Sequence, residues 1–170
     1  MAVDTGHPIT IFEDDAVASF NFSRHTKGVL ERAGSNWDLI MWGLIVDPLF
    51  AWIDLGFANA RLHFYESRYK GQSIDTFQHS DLIPHVLRLR HGFGAFAYSI
   101  TPRGAQTLLD FCLPLDDRLI TFAGAGVTIQ NEGIDCLMCG ILPRMEAFVC
   151  MPPLAITDSR LRSDITEAGR

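Results

Sequence analysis

The chain has 170 residues, 48% hydrophobic and 20% charged, with 14 Lys and Arg against 20 Asp and Glu. This is the size and composition of one globular domain with a substantial core, and it excludes a disordered chain. A net charge of -6 also excludes a general nucleic-acid binder, which needs a basic face, but not a nucleotide ligand whose charge a metal offsets.

Residues 1–8 lack the basic cluster and apolar core of a signal peptide. The most apolar region, residues 39–57, is interrupted by Asp47, Pro48 and Asp54. It falls short of the roughly 20 apolar residues that a spanning helix needs. Cysteines 112, 136, 139 and 150 make no disulfide framework. Cys136 and Cys139 form a single CxxC pair on an apolar segment, which reads as buried core before a zinc or redox site. The expected compartment is the cytoplasm.

In chain order, Gly6 and Pro8 mark a loop that leads into the strand Ile9-Thr10-Ile11-Phe12. A central strand with neighbours on both sides is expected there. It ends in three consecutive carboxylates, Glu13-Asp14-Asp15. Ligands of α/β proteins bind at the carboxyl ends of strands. Adjacent acids repel one another unless a cation or a hydrogen-bond network compensates them. A hard divalent metal would do so, keeping a phosphate as a further ligand. The competing reading is a solvated acidic turn at the start of a helix, where acids are favourable.

Residues 16–34 read as helical, with Val17, Phe20, Val29 and Leu30 apolar and Gly34 as the stop. Asn21-Phe22-Ser23 leaves two shorter helices as the alternative. Residues 37–42 read as a strand closed by Gly43, with Asp38 as a cap or loop residue. Residues 44–85 read as a partly exposed excursion, mixing apolar residues 49–52, Phe64 and Tyr65 with Arg61, Arg68, Lys70 and Gly71. Its aromatic faces suit a sugar acceptor, and a loop packing its own aromatics fits equally. Residues 85–90 alternate as a half-buried strand, broken at His91-Gly92-Phe93-Gly94. His91 is then a turn residue or an acceptor-side group.

A short strand is expected over residues 95–100. Thr101 as N-cap and Pro102 at the first helical position then open a helix that Pro114 stops. Residues 115–126 give no clear element, and Gly124 and Gly126 make no dinucleotide fingerprint. An apolar helix over 134–141, a strand over 147–151 ended by Pro152-Pro153, and a polar tail over 157–170 complete a single domain, residues 1–156.

Several blocks follow one another in a familiar order. They are the strand into Glu13-Asp14-Asp15, the run from Gly94 through Tyr98-Ser99 to Thr101 with its Pro102-Arg103-Gly104-Ala105 helix, Asp135, Pro152-Pro153-Leu154, and Ser163-Asp164-Ile165. That order resembles glycosyltransferase family 25, which includes bacterial lipopolysaccharide and lipooligosaccharide galactosyltransferases. It spans residues 9–166.

The resemblance implies an α/β, GT-A-like (Rossmann-like) fold, a UDP-sugar donor and a divalent metal, Mn²⁺ or Mg²⁺. Glu13-Asp14-Asp15 would match the DxD-type motif. The metal would sit chiefly on Asp15, with Glu13 as the further ligand candidate, and Glu13 or Asp14 would otherwise support the metal or the donor ribose. Family members are inverting enzymes, so a carboxylate must deprotonate the acceptor hydroxyl. Asp135 is the first choice for that base and Glu132 the second; a simple cap on the 134–141 helix is the alternative for Asp135. Tyr98 and Ser99 are expected to be structural.

Expected partners are the nucleotide-sugar donor and a glycan or lipid-linked glycan acceptor, with peripheral association at the inner face of a membrane and self-association, and no nucleic acid. Relatives carry a βα-rich part before the acidic triplet, so the resemblance also implies an N-terminally incomplete domain with an exposed apolar edge beside residues 9–12. A non-catalytic remnant of the fold and a carboxylate-pair glycoside hydrolase are the competing functions.

Overall fold

The computed structural model describes residues 1–44, 51–63, 74–122 and 126–158. The strands are β1 (Ile9–Phe12), β2 (Ala16–Ala18), β3 (Leu39–Met41), β4 (Ala51–Asp54), β5 (Asn59–Leu62), β6 (His85–His91), β7 (Ala97–Ile100), β8 (Leu119–Phe122), β9 (Val127–Gln130), β10 (Ala147–Met151) and β11 (Ala155–Thr157). The helices are α1 (Ala2–Thr5), α2 (Phe22–Ala33), α3 (Ile74–Gln78), α4 (Pro102–Cys112) and α5 (Ile134–Ile141).

Seven strands form one sheet in the order β1-β7-β3-β10-β6-β4-β5. β3 and β10 pair in parallel, and the other neighbours in this sheet pair antiparallel. The α/β class therefore holds, with a mixed sheet. Because β7 opposes both β1 and β3, strands β1, β3 and β10 run the same way. Their carboxyl ends share one rim, where residues 13–15, 42–44 and 152–154 emerge.

Alternation along the strands sorts the core onto two faces. Leu39, Met41 and Val149 pack with Cys112 of α4 and Leu137, Cys139 and Ile141 of α5. Ile40, Trp42 and Cys150 pack with Val29 of α2 on the opposite face. At the shared rim β11 pairs with β2, and the Trp42 carbonyl accepts the N–H groups of Leu154 (2.8 Å) and Ala155 (3.1 Å). Gly43 permits this approach, since a Cβ there would lie 2.1 Å from the Ala155 carbonyl oxygen.

Several expectations are corrected. Among the described residues β1 is an edge strand with one neighbour, β7, not a central one. Residues 16–18 are strand: β-branched Val17 sits opposite Ile156, and the helix begins only after its N-cap, Asn21. Part of the 44–85 excursion supplies sheet strands β4 and β5, and α3 follows. His91 is no turn residue. It closes β6, is 1% exposed, and sets its Nδ1 2.9 Å from the Cys139 carbonyl. Residues 119–122 and 127–130 pair as antiparallel strands. Thr157 belongs to β11 and not to a tail.

The strands read over 37–42 and 95–100 form in their later parts, as β3 and β7, and β10, the Thr101-capped helix, the 134–141 helix and the Gly34 stop form as read. Phe64, Tyr65, Arg68, Lys70, Gly71, Gly124, the Ser163-Asp164-Ile165 block and the tail beyond Asp158 lie outside the described residues. No described helix is long and apolar enough to cross a membrane.

Candidate active site

The site grows from the period-two alternation of β1. Ile9 and Ile11 face the α4–α5 core, opposite Ile100 and Tyr98. Pairing continues one residue past the strand, where the Glu13 N–H donates to the Phe96 carbonyl at 2.8 Å. Glu13 therefore falls on the same face as Ile9 and Ile11, one step beyond Tyr98. The Ala16 N–H then returns to the Glu13 carbonyl at 3.1 Å, so Asp14 and Asp15 are the corners of a tight turn between β1 and β2. The acids therefore open a strand and not a helix, and helix-dipole stabilisation does not account for them.

Asp14 and Glu13 are exposed, while Asp15 is half-buried. The Asp15 carbonyl accepts the Asp158 N–H at 2.9 Å, which pins the turn to the end of β11. Its Oδ1 is buried without a hydrogen-bond partner among the described residues. An orphaned carboxylate oxygen of this kind calls for water or a cation.

α5 brings Asp135 to the same place. Its N-cap is Gly133, and no side chain caps the helix. Asp135 is half-buried, and its carboxyl takes the Ala95 N–H, across to the segment that enters β7. The cap reading of Asp135 is thereby replaced by a tertiary contact. Burial pushes this carboxyl above the usual aspartate range, and the Ala95 N–H opposes the shift. Glu13 is raised too, by partial burial of its carboxyl first and then by the negative charges of Asp135, Asp15 and Asp14.

Tyr98 completes the group. Burial raises its hydroxyl pKa, and Glu13 and Asp135 add to the effect. Its side chain thus stands within electrostatic reach of both acids. Tyr98 also packs against the core as a structural residue does, in register with Ile11, two residues before Glu13. Ser99 is structural as expected: it is buried and bonds Thr10 Oγ1 (2.7 Å) and Trp42 Nε1 (2.9 Å). Glu132 is exposed in the turn before α5, and its charge is not among those acting on Glu13.

Asp38, read as a cap or loop residue, is 7% exposed and binds Arg103 Nε and the Glu146 N–H. It ties the sheet to α4. Cys139 and Cys150 are buried, and Cys136 is partly buried against the same core as Cys139. Burial raises the Cys139 thiol strongly and pushes Cys150 up to about 12, as inert core thiols require.

Among the described residues no group of three or more His, Cys, Asp and Glu side chains could hold a metal by itself. Mg²⁺-type sites rarely need one: one or two carboxylates suffice when substrate phosphates and water complete the shell. Asp15, with its orphaned Oδ1, and Glu13 fit that donor set. No protein-family model, no curated protein and no solved structure matches this chain.

Proposed function

We propose that the protein is an inverting, metal-assisted glycosyltransferase of GT-A-like fold. It moves a sugar, galactose first among the candidates, from a uridine diphosphate donor to a glycan or lipid-linked glycan acceptor on the cytoplasmic side of a membrane. The observation that carries this reading is the buried, unpartnered Asp15 Oδ1 at a strand's carboxyl end, two residues from Glu13, whose carboxyl feels the charges of both Asp15 and Asp135. The ordered sequence blocks and the three like-directed strands ending at the acidic rim support it.

Asp15 and Glu13 would hold the divalent metal. When bound, it supplies positive charge against the leaving diphosphate. Asp135, which burial raises above the ordinary aspartate range, takes the proton of the acceptor hydroxyl as that oxygen attacks the anomeric carbon. The Ala95 N–H orients its carboxyl. Exposed Glu132 is the weaker base candidate, because it lacks the burial that tunes Asp135.

Asp135→Asn keeps the shape and removes the base. Turnover of UDP-galactose should fall by about 10²–10⁴-fold, the usual contribution of a general base, with donor affinity retained. Unchanged turnover would take Asp135 out of the scheme. A carboxylate-pair hydrolase gains one observation, the effect of the Asp135 charge on Glu13. Cleavage of aryl glycosides without a nucleotide donor would favour it.

A further inference from the structure

β6 and β7 both run antiparallel to the parallel pair β3 and β10, so residues 92–96 must return from the end of β6 to the start of β7. They do so on the α5 face, where Phe93 and Ala95 join its core. Two glycines allow this return, and each does so differently. At Gly92 the need is space: a Cβ there would lie 2.9 Å from Leu44 Cδ2 and 3.2 Å from Leu89 Cδ1, and the backbone is not left-handed. At Gly94 the need is conformation. Its φ is 119°, in the region that L side chains rarely adopt, and the residue is buried.

The turn that follows Gly94 serves both acids. The Ala95 N–H reaches the Asp135 carboxyl, and the Phe96 carbonyl accepts the Glu13 N–H at 2.8 Å. Gly94, Ala95 and Asp135 also line one small cavity with Met41, Met138 and Leu142. At about 10 Å³ it has room for at most a single water, so on this inner side the Asp135 carboxyl depends on a protein donor. The planar peptide group between Gly94 and Ala95 carries that donor, and the Gly94 dihedrals set its direction. Forcing Gly94 to negative φ rotates that plane and displaces both contacts.

We propose that Gly94 is a positioning residue of the acidic site: its left-handed backbone aims the turn so that the Ala95 N–H holds the Asp135 carboxyl and the Phe96 carbonyl holds the Glu13 main chain. Its consequence for the acceptor proton rests on the glycosyltransferase reading, whereas the arrangement of the turn does not.

The test is amide hydrogen exchange, resolved by residue with NMR on the whole chain, beside turnover of UDP-galactose. Gly94→Ala should speed exchange at Ala95 and Glu13 by about tenfold or more relative to the β10 amides, because local opening is read bond by bond. Gly92→Ala should lower thermal stability through Leu44 and leave those two ratios unchanged. Gly94→Asn, which enters positive φ more readily than Ala, should keep more of both protections. Should Gly94→Ala fail to fold, Asp135→Ala should speed exchange at Ala95 and spare Glu13. In turnover, Gly94→Ala should lower kcat by about 10–10²-fold with the donor KM retained, as a displaced base does.

Unchanged exchange at Ala95 or Glu13 in folded Gly94→Ala would overturn the proposal, as would an equal loss in Gly94→Asn or in Gly92→Ala. Unchanged Ala95 exchange in Asp135→Ala, or a kcat unmoved by Gly94→Ala, would also overturn it. The two readings fail separately. The expected exchange with no turnover in the parent sinks the transferase alone, and turnover without the exchange effect sinks the Gly94 assignment alone.

Discussion

Burial holds Asp135 above the ordinary aspartate range even though it accepts the Ala95 N–H, so this carboxylate is strained toward its protonated form. A carboxyl raised on folding leaves stability intact while it is protonated in both states. Its destabilising charge then grows as pH climbs from the unfolded value near 3.8 through the higher folded one. Glu13 acts in the same direction from its own ordinary value of 4.5. Asp135→Asn should therefore melt at a higher temperature than the parent at pH 7, with the gap closing toward pH 3. A gap that stayed constant with pH would contradict the burial assignment. Glu13, Asp15 and Asp135 were legible in the sequence as individual candidates, because carboxylates at element ends are visible there. Their meeting was not, because it depends on pairing continuing to Glu13 and Phe96 and on α5 covering that face of the sheet.

The start of α4 shows where local chemistry predicts an element well. Thr101 Oγ1 accepts the Gly104 N–H at 3.1 Å and Pro102 occupies the first turn, both readable from four letters. What those letters conceal is the role of Gly104, where a Cβ would stand 2.4 Å from the Asp38 carbonyl oxygen. Ala normally stabilises a helix interior over Gly by about 1 kcal/mol. Here Gly104→Ala should instead destabilise by about 1–3 kcal/mol in chemical denaturation, because α4 must move off β3; a stabilised variant would refute that contact. Asp38→Ala should cost about 1–3 kcal/mol, chiefly by leaving the Glu146 N–H without its acceptor, while Arg103 keeps Asn36 Oδ1 at 3.0 Å. A loss within experimental error would mean that solvent replaces both bonds. β2 was missed for the opposite reason. Its partner, β11, lies some 140 residues away, and Ala16-Val17-Ala18 carries no local sign of that pairing.

At the scale of the molecule, one mixed sheet brings β1, β3 and β10 to a common rim, and the acidic turn sits there. The α/β class was legible from strands and helices alternating along the chain. The strand order was not, because most pairings are antiparallel and join segments distant in sequence. Among the described residues the same architecture leaves β1 on an edge, where its own pattern suggested a central strand, with Phe12 40% exposed and its ring set edge-on to Phe22 at 5.2 Å. The rim is where donor, metal and acceptor would converge, so donor binding is the property to measure. Titration of UDP-galactose into the protein with and without MnCl₂, repeated with Asp15→Ala, should give manganese-dependent affinity that the substitution abolishes and that Asp135→Asn retains. Equal donor affinity with and without manganese, or no binding at millimolar donor, would contradict the metal-assisted transferase.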